Sequence, residues 1–292
     1  MSMMEKTAAA LMPAEYESHY LTVAGVKLHY QDYGDKTKPP MVCIHGGAAH
    51  AHWFDFVASE LKKDFHVIAI NQRGHGDSGW ASPPDYSYAR YAADLNEAFE
   101  KLNLQNFILV GHSMGGVVST LYAATYPGRA KAFILIDSTI TMPEDRIASM
   151  HEVGNREGRS YASEGEFLER YKLRPAGTTA TAEVVGHLAR HSGRVFEDGR
   201  WRHKFDRNVY ALRERMDSLP YWANIKIPAL LVKGDLSQRI SAEVVGNVRA
   251  LCPQIQTAEV AHSDHHVTLD NPSGFVQAVG PFLRSLSSFV GG

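Results

Sequence analysis

Short apolar runs recur along the chain, at 41–44 (Met41-Val42-Cys43-Ile44), 65–70, 107–110, 132–136, 227–232 and 255–260. Ahead of them, 20–23 and 26–33 flank the turn Ala24-Gly25 and read as a β-hairpin. The intervening stretches, such as 53–62 and 117–126, are long enough for helices. Buried strands alternating with helices predict an α/β fold, a mostly parallel central sheet with helices on both faces. The alternation stops over 138–221. That stretch holds helix-like pieces at 144–150, 164–171 and 182–190 and no convincing buried strand, and it is too long for a loop. It reads as a helical cap inserted after the sixth strand, over the strand ends where ligands bind in open α/β sheets. The expected organisation is a flexible tail at 1–18, a core of 19–137 and 222–292, and a cap at 138–221.

Composition narrows the function classes. In 292 residues, 30 basic and 32 acidic side chains nearly cancel and form no like-charged block, so nucleic acid is not an expected partner. No run of about 18 apolar residues occurs, so no membrane span is expected. The two cysteines, Cys43 and Cys252, are too few for a disulfide framework and suggest a reducing cytoplasm. Neither metal-ligand spacing nor a dinucleotide fingerprint is present, so no metal or organic cofactor is expected. A small-molecule substrate fits this balance, and a homo-oligomer is left open.

The chemistry concentrates where Gly111-His112-Ser113-Met114-Gly115-Gly116 follows the strand 107–110 and opens the helix 117–126. A serine on such a strand-to-helix turn, with glycines two positions to either side, presents its hydroxyl as a nucleophile. A plain N-cap serine is the alternative.

With His45-Gly46-Gly47, Asn71-Gln72-Arg73-Gly74-His75-Gly76-Asp77-Ser78 and His265-His266-Val267-Thr268-Leu269-Asp270-Asn271-Pro272, this motif resembles the α/β-hydrolase fold superfamily, in its branch of cofactor-free serine esterases and C–C hydrolases. The resemblance implies an oxyanion hole built from the backbone N–H of Met114 and that of Gly47, with Gly46 as the alternative donor. It implies His265 as the general base, because the family's histidine precedes an acidic residue by five positions, here Asp270, with Pro272 two further on. His262 and His266 are the competing histidines.

The third triad member departs from the pattern. Relatives usually carry Asp three or four residues beyond the glycine after the seventh strand, and here Ser237 and Gln238 stand at those places. Three readings remain: Asp137 at the end of the sixth strand, as in some superfamily members, then Asp235, then an acid-free Ser-His dyad. The expected activity is hydrolysis of a carboxylester, lactone or related acyl bond through an acyl-serine. C–C or amide cleavage on the same site, or a low-turnover ligand receptor on this fold, are the alternatives.

Overall fold

The computed structural model describes residues 11–287. Among these residues ten strands lie in chain order: β1 (Glu17–Val23), β2 (Val26–Asp32), β3 (Pro40–Ile44), β4 (His66–Ile70), β5 (Phe107–His112), β6 (Ala130–Ile136), β7 (Gly193–Val195), β8 (Trp201–His203), β9 (Ala229–Gly234) and β10 (Ile255–Val260). Eight of them form one sheet in the order β1-β2-β4-β3-β5-β6-β9-β10. The β1–β2 hairpin is antiparallel and joins β4 antiparallel, while every pairing from β4 to β10 is parallel.

The register explains why the central strands read as unbroken apolar runs. Successive side chains on a strand face opposite sides, so a strand covered on both faces is apolar throughout. Val42, Ile68, Leu109, Phe133 and Leu231 pack into one core layer. Their neighbours Met41, Val67, Ile108, Ala132 and Leu230 pack into the other. Full burial of each Val, Leu, Ile, Phe or Met among them contributes roughly 1.5–3 kcal/mol.

Helices close both faces. On the first lie α2 (Tyr88–Lys101), α3 (Met114–Thr125) and α8 (Ala242–Leu251). On the second lie α1 (Asp55–Leu61) and α10 (Pro272–Ser287). In α2, Ser87 caps the start by accepting from the Arg90 N–H, and Tyr88, Tyr91, Leu95 and Phe99 recur at helical spacing along the buried side.

Between β6 and β9 lie α4 (Glu144–Asn155), α5 (Glu164–Arg170), α6 (Ala182–Ser192), the hairpin β7–β8 and α7 (Asn208–Ala211); α9 (Val267–Asp270) precedes α10. The hairpin corrects the expectation of helices alone over 138–221. Its three-residue strands are half-exposed and carry Arg194, Arg202 and His203, so no apolar run announces them. Helix α4 also runs past residue 150. Its Gly154 lies against α7, where an added Cβ would stand 2.1 Å from the Ala211 nitrogen, so a tertiary contact extends a helix whose apolar pattern has faded.

At the N-terminus, residues 1–10 of the expected tail lie outside the described residues. Beyond them the chain is docked: the Ala14 N–H donates to the Asp55 carbonyl at 2.9 Å, Tyr16 sits against Tyr33 and His52, and β1 begins at Glu17. Among the described residues no helix is long and apolar enough to cross a membrane.

Candidate active site

Ser113 occupies a backbone conformation that side chains rarely adopt, φ 53° and ψ −119°, between the end of β5 and the start of α3. Such a residue costs about 1–3 kcal/mol, which the surroundings must offset. Its N–H donates to the Ile136 carbonyl (3.0 Å), and its own carbonyl accepts from the Gly116 N–H (2.9 Å) and the Ser138 hydroxyl (2.7 Å). Two glycines make the turn sterically feasible. A Cβ on Gly111 would stand 2.6 Å from the Gly115 carbonyl oxygen, and one on Gly115 would stand 2.4 Å from the Ile44 and His45 carbonyl oxygens.

The structure brings Ser113, His265 and Asp137 together. The carboxylate of Asp137 only accepts, so His265 Nδ1 carries the proton and donates to Oδ2 at 2.7 Å. That leaves the Nε2 lone pair facing Ser113 Oγ at 3.0 Å. Asp137 leaves β6 with φ 37° and is fully buried, its N–H held by the Val232 carbonyl at 2.8 Å. The same Oδ2 accepts from the Ser237 hydroxyl at 2.9 Å, and Arg239 Nε lies 3.8 Å away. Ser237, at one of the positions where relatives keep their acid, therefore supports the carboxylate that faces the histidine.

Other candidates point elsewhere. Asp235 is exposed and accepts from the Ser263 N–H; Gln238 and His262 are exposed. His266 Nε2 donates to the Pro175 carbonyl at 2.9 Å. Asp270 accepts from the Asp264 N–H at 2.9 Å and from the Thr179 N–H at 3.0 Å, tying the His265 loop to the segment before α6.

Burial raises the Asp137 carboxyl to about 7, a shift the Ser237 hydrogen bond opposes. Burial, with His112, His266 and Arg146 nearby, lowers His265 well below its ordinary value. Both directions disfavour charge on the pair. A neutral imidazole with its lone pair on the serine is the state a general base needs at neutral pH.

Two residues that the sequence did not mark as functional hold this arrangement. His112 donates from Nε2 to the His265 carbonyl at 2.8 Å, and burial pushes its pKa down to about 3, so it stays a neutral brace. His45 donates from Nδ1 to the Gly46 carbonyl (2.7 Å) and accepts at Nε2 from the Gln72 N–H (3.0 Å). Their place in the glycine-bounded motifs was the available signal.

Gly46 and Gly47 border the serine. A Cβ on Gly46 would meet Ser113 Cβ at 3.0 Å, so its bareness lets the two loops approach. Met114 opens α3, where an N–H has no intrahelical acceptor. Gly47, Met114, Ser113 and His265 all line a cavity of about 240 Å³, to which Met142, Met150, Val153 and Tyr210 of the segment between β6 and β9 also contribute.

Among the described residues one trio, His52, His187 and His191, has possible metal-ligand atoms within 4.8 Å of one another. The His52 and His191 rings stack at 3.6 Å and 17°, so their in-plane lone pairs do not converge. His52 Nδ1 and His187 Nε2 meet the buried Asp55 carboxylate instead, at 2.8 and 2.6 Å.

A parallel sheet with a strained serine at the β5–α3 turn defines a class, and the comparisons agree with it. Residues 39–272 match the family model of the alpha/beta hydrolase fold, and the chain belongs to that family. A 2-(acetamidomethylene)succinate hydrolase of Mesorhizobium japonicum is 26% identical over 285 residues, 94% of this chain and 98% of the relative. A serine hydrolase-like protein of Danio rerio is 26% identical over 286 residues, 89% of this chain and 86% of the relative. The crystal structure of E-2-(acetamidomethylene)succinate hydrolase has the same fold, with a TM-score of 0.80 at 24% identity, covering 92% of this chain and 100% of that one. The chain is a hydrolase of this fold.

Proposed function

We propose that the protein is a serine hydrolase that cleaves a carboxylester, lactone or related acyl bond of a small molecule. The supporting observation is the unbroken hydrogen-bond relay from Ser113 Oγ through His265 to Asp137. In this reading His265 takes the Ser113 proton as the oxygen attacks the carbonyl carbon. Asp137 keeps the imidazole in the right tautomer and stabilises its cation. The N–H groups of Met114 and Gly47 hold the developing oxyanion, and losing one such donor costs about 3 kcal/mol of transition-state stabilisation. The proton on His265 then passes to the leaving group. Water, deprotonated by the same imidazole, releases the acid and restores Ser113.

In this proposal the segment 138–221 acts as a cap that selects the substrate, because it supplies one wall of the cavity. Amide or C–C cleavage would use the same relay. The unpaired Cys43 and Cys252 fit a cytoplasmic setting.

The test is turnover of p-nitrophenyl esters and lactones by the parent and by Ser113→Ala. The account expects Ser113→Ala to fold normally and lose ~10⁶-fold in kcat, the scale seen when a serine nucleophile is removed from a well-studied protease. Residual turnover within tenfold of the parent would refute the assignment.

A further inference from the structure

The cavity wall carries an unbalanced charge. Arg146, Arg174, Arg213 and Arg239 line it, and no Asp or Glu does. Three of these cations are accounted for. Arg146 donates to Thr139 Oγ1 at 3.2 Å, Arg174 is exposed to water, and Arg239 lies 3.8 Å from Asp137.

Arg213 is different. It is 4% exposed and pairs with no carboxylate among the described residues; its polar neighbours are the sulfur of Met114, 2.7 Å from Nη2, and the Tyr88 side chain, and its Nε and Nη1 lack a well-aligned acceptor. The rings of Tyr88 and Tyr210 lie 5.3 and 6.0 Å from its guanidinium carbon. Ring faces stabilise a cation partially, but they accept none of its in-plane N–H bonds. A buried guanidinium without a carboxylate is a costly arrangement that proteins normally pair. Its position is informative. A Cβ on Gly47 would stand 3.5 Å from Arg213 Nη2, and one on the adjacent Gly46 would stand 3.5 Å from Ser113 Oγ, so guanidinium and nucleophile flank consecutive residues of one loop.

We propose that Arg213 anchors a carboxylate carried by the substrate a short chain away from the reacting carbonyl, which makes acid-bearing acyl compounds the preferred substrate class. This rests on the cavity being the substrate site. The bound carboxylate supplies the missing acceptors, and the dry surroundings make a charge-assisted pair stronger than it would be in water. The adjoining larger cavity, about 630 Å³, shares Trp53, Val153, Arg174 and Tyr210 with the first and is itself lined by Arg156, Arg159, Lys172, Arg202 and Arg207 against Glu157 and Asp206. An anion entering by that route meets mostly positive charge.

Two measurements test this, one of which is independent of turnover. Calorimetric titration of Ser113→Ala with glutarate and with its uncharged diamide, glutaramide, reads binding alone. The proposal expects glutarate to bind at least tenfold more tightly, and the difference to collapse when Arg213→Met is added and to return in part with Arg213→Lys. In the active protein, the kcat/KM ratio of mono-p-nitrophenyl glutarate to p-nitrophenyl pentanoate, acyl chains of equal length, should fall at least tenfold in Arg213→Met. Equal binding of glutarate and glutaramide by Ser113→Ala, or an unchanged substrate ratio in Arg213→Met, overturns the anchor. So does an equal loss on both esters, which would assign Arg213 to the oxyanion or to packing. If Ser113→Ala still turns esters over, the assignment of Ser113 as nucleophile fails while the binding result stands.

Discussion

The two walls of the cavity are held in different ways. On the sheet side every reacting group has a partner: Ser113 on His265, His265 on Asp137, and Asp137 on Ser237. On the inserted side stand arginines and thioether or aromatic side chains, with Arg213 buried and short of acceptors. Although Asp137 Oδ1 itself lacks a partner, the relay atoms are fixed before substrate arrives, which suits charge development in a transition state. Unsatisfied buried donors gain most when a ligand arrives, which suits selection. In the proposed function the sheet side therefore sets the reaction, and the inserted side selects the substrate.

Mutating the sheet side should therefore reduce the rate on every substrate. After loss of the nucleophile itself, the largest effect is expected for Asp137→Asn, where kcat should fall by up to ~10⁴-fold because the imidazole loses both its tautomer and its counter-charge. Stability should move the other way. The Asp137 carboxyl is raised by burial to about 7, so between its unfolded value near 4 and about 7 the folded state holds more protons than the unfolded state. The parent accordingly loses stability as pH rises through that window, and Asp137→Asn does not. Thermal unfolding at pH 5 and pH 8 checks this: the variant's Tm relative to the parent should be higher at pH 8. A relative Tm that is lower at pH 8 than at pH 5 would mean that the ionised carboxylate stabilises the fold.

A smaller effect is expected from Ser237→Ala. It removes one hydrogen bond to a charged oxygen, worth about 1.5–3 kcal/mol, and so raises the Asp137 carboxyl further. The acid limb of the kcat/KM profile should shift to higher pH, with a modest loss at pH 8. An unshifted limb would separate Ser237 from the carboxylate's titration. Least of all should follow from Asp235→Asn, since that side chain is exposed and bonds the Ser263 N–H. Rates within about twofold of the parent are expected, as for most surface changes. A severe loss would return the acid to the position after the seventh core strand.

Legibility in the sequence divides along the same line. The inner parallel strands were readable because burial on both faces makes them apolar, as in 41–44 and 132–136, whereas the edge strand β10 exposes Gln256, Thr257 and Glu259. Ser113 was readable because its strained turn demands glycines at fixed offsets. Asp137, one of three readings from the sequence, is the acid the structure sets against His265; Ser237, an uncharged residue at a usual acid position, donates to that acid. Sequence offsets do not tell which acid reaches a given ring. That depends on β6 and β9 being adjacent, with Ile136 paired to Val232. Arg213 gave no signal at all. It sits among other polar residues, and only the fold shows that its guanidinium is enclosed without an anion.

The most direct test of the central claim, covalent catalysis by Ser113 in the His265–Asp137 relay, is intact-protein and peptide mass spectrometry after brief exposure to a fluorophosphonate. The account predicts a single adduct on the peptide carrying Ser113, none on Ser113→Ala, and much slower labelling of Asp137→Asn. Labelling of Ser113→Ala at the parental rate, or a parent that hydrolyses esters yet takes no adduct on that peptide, would contradict it.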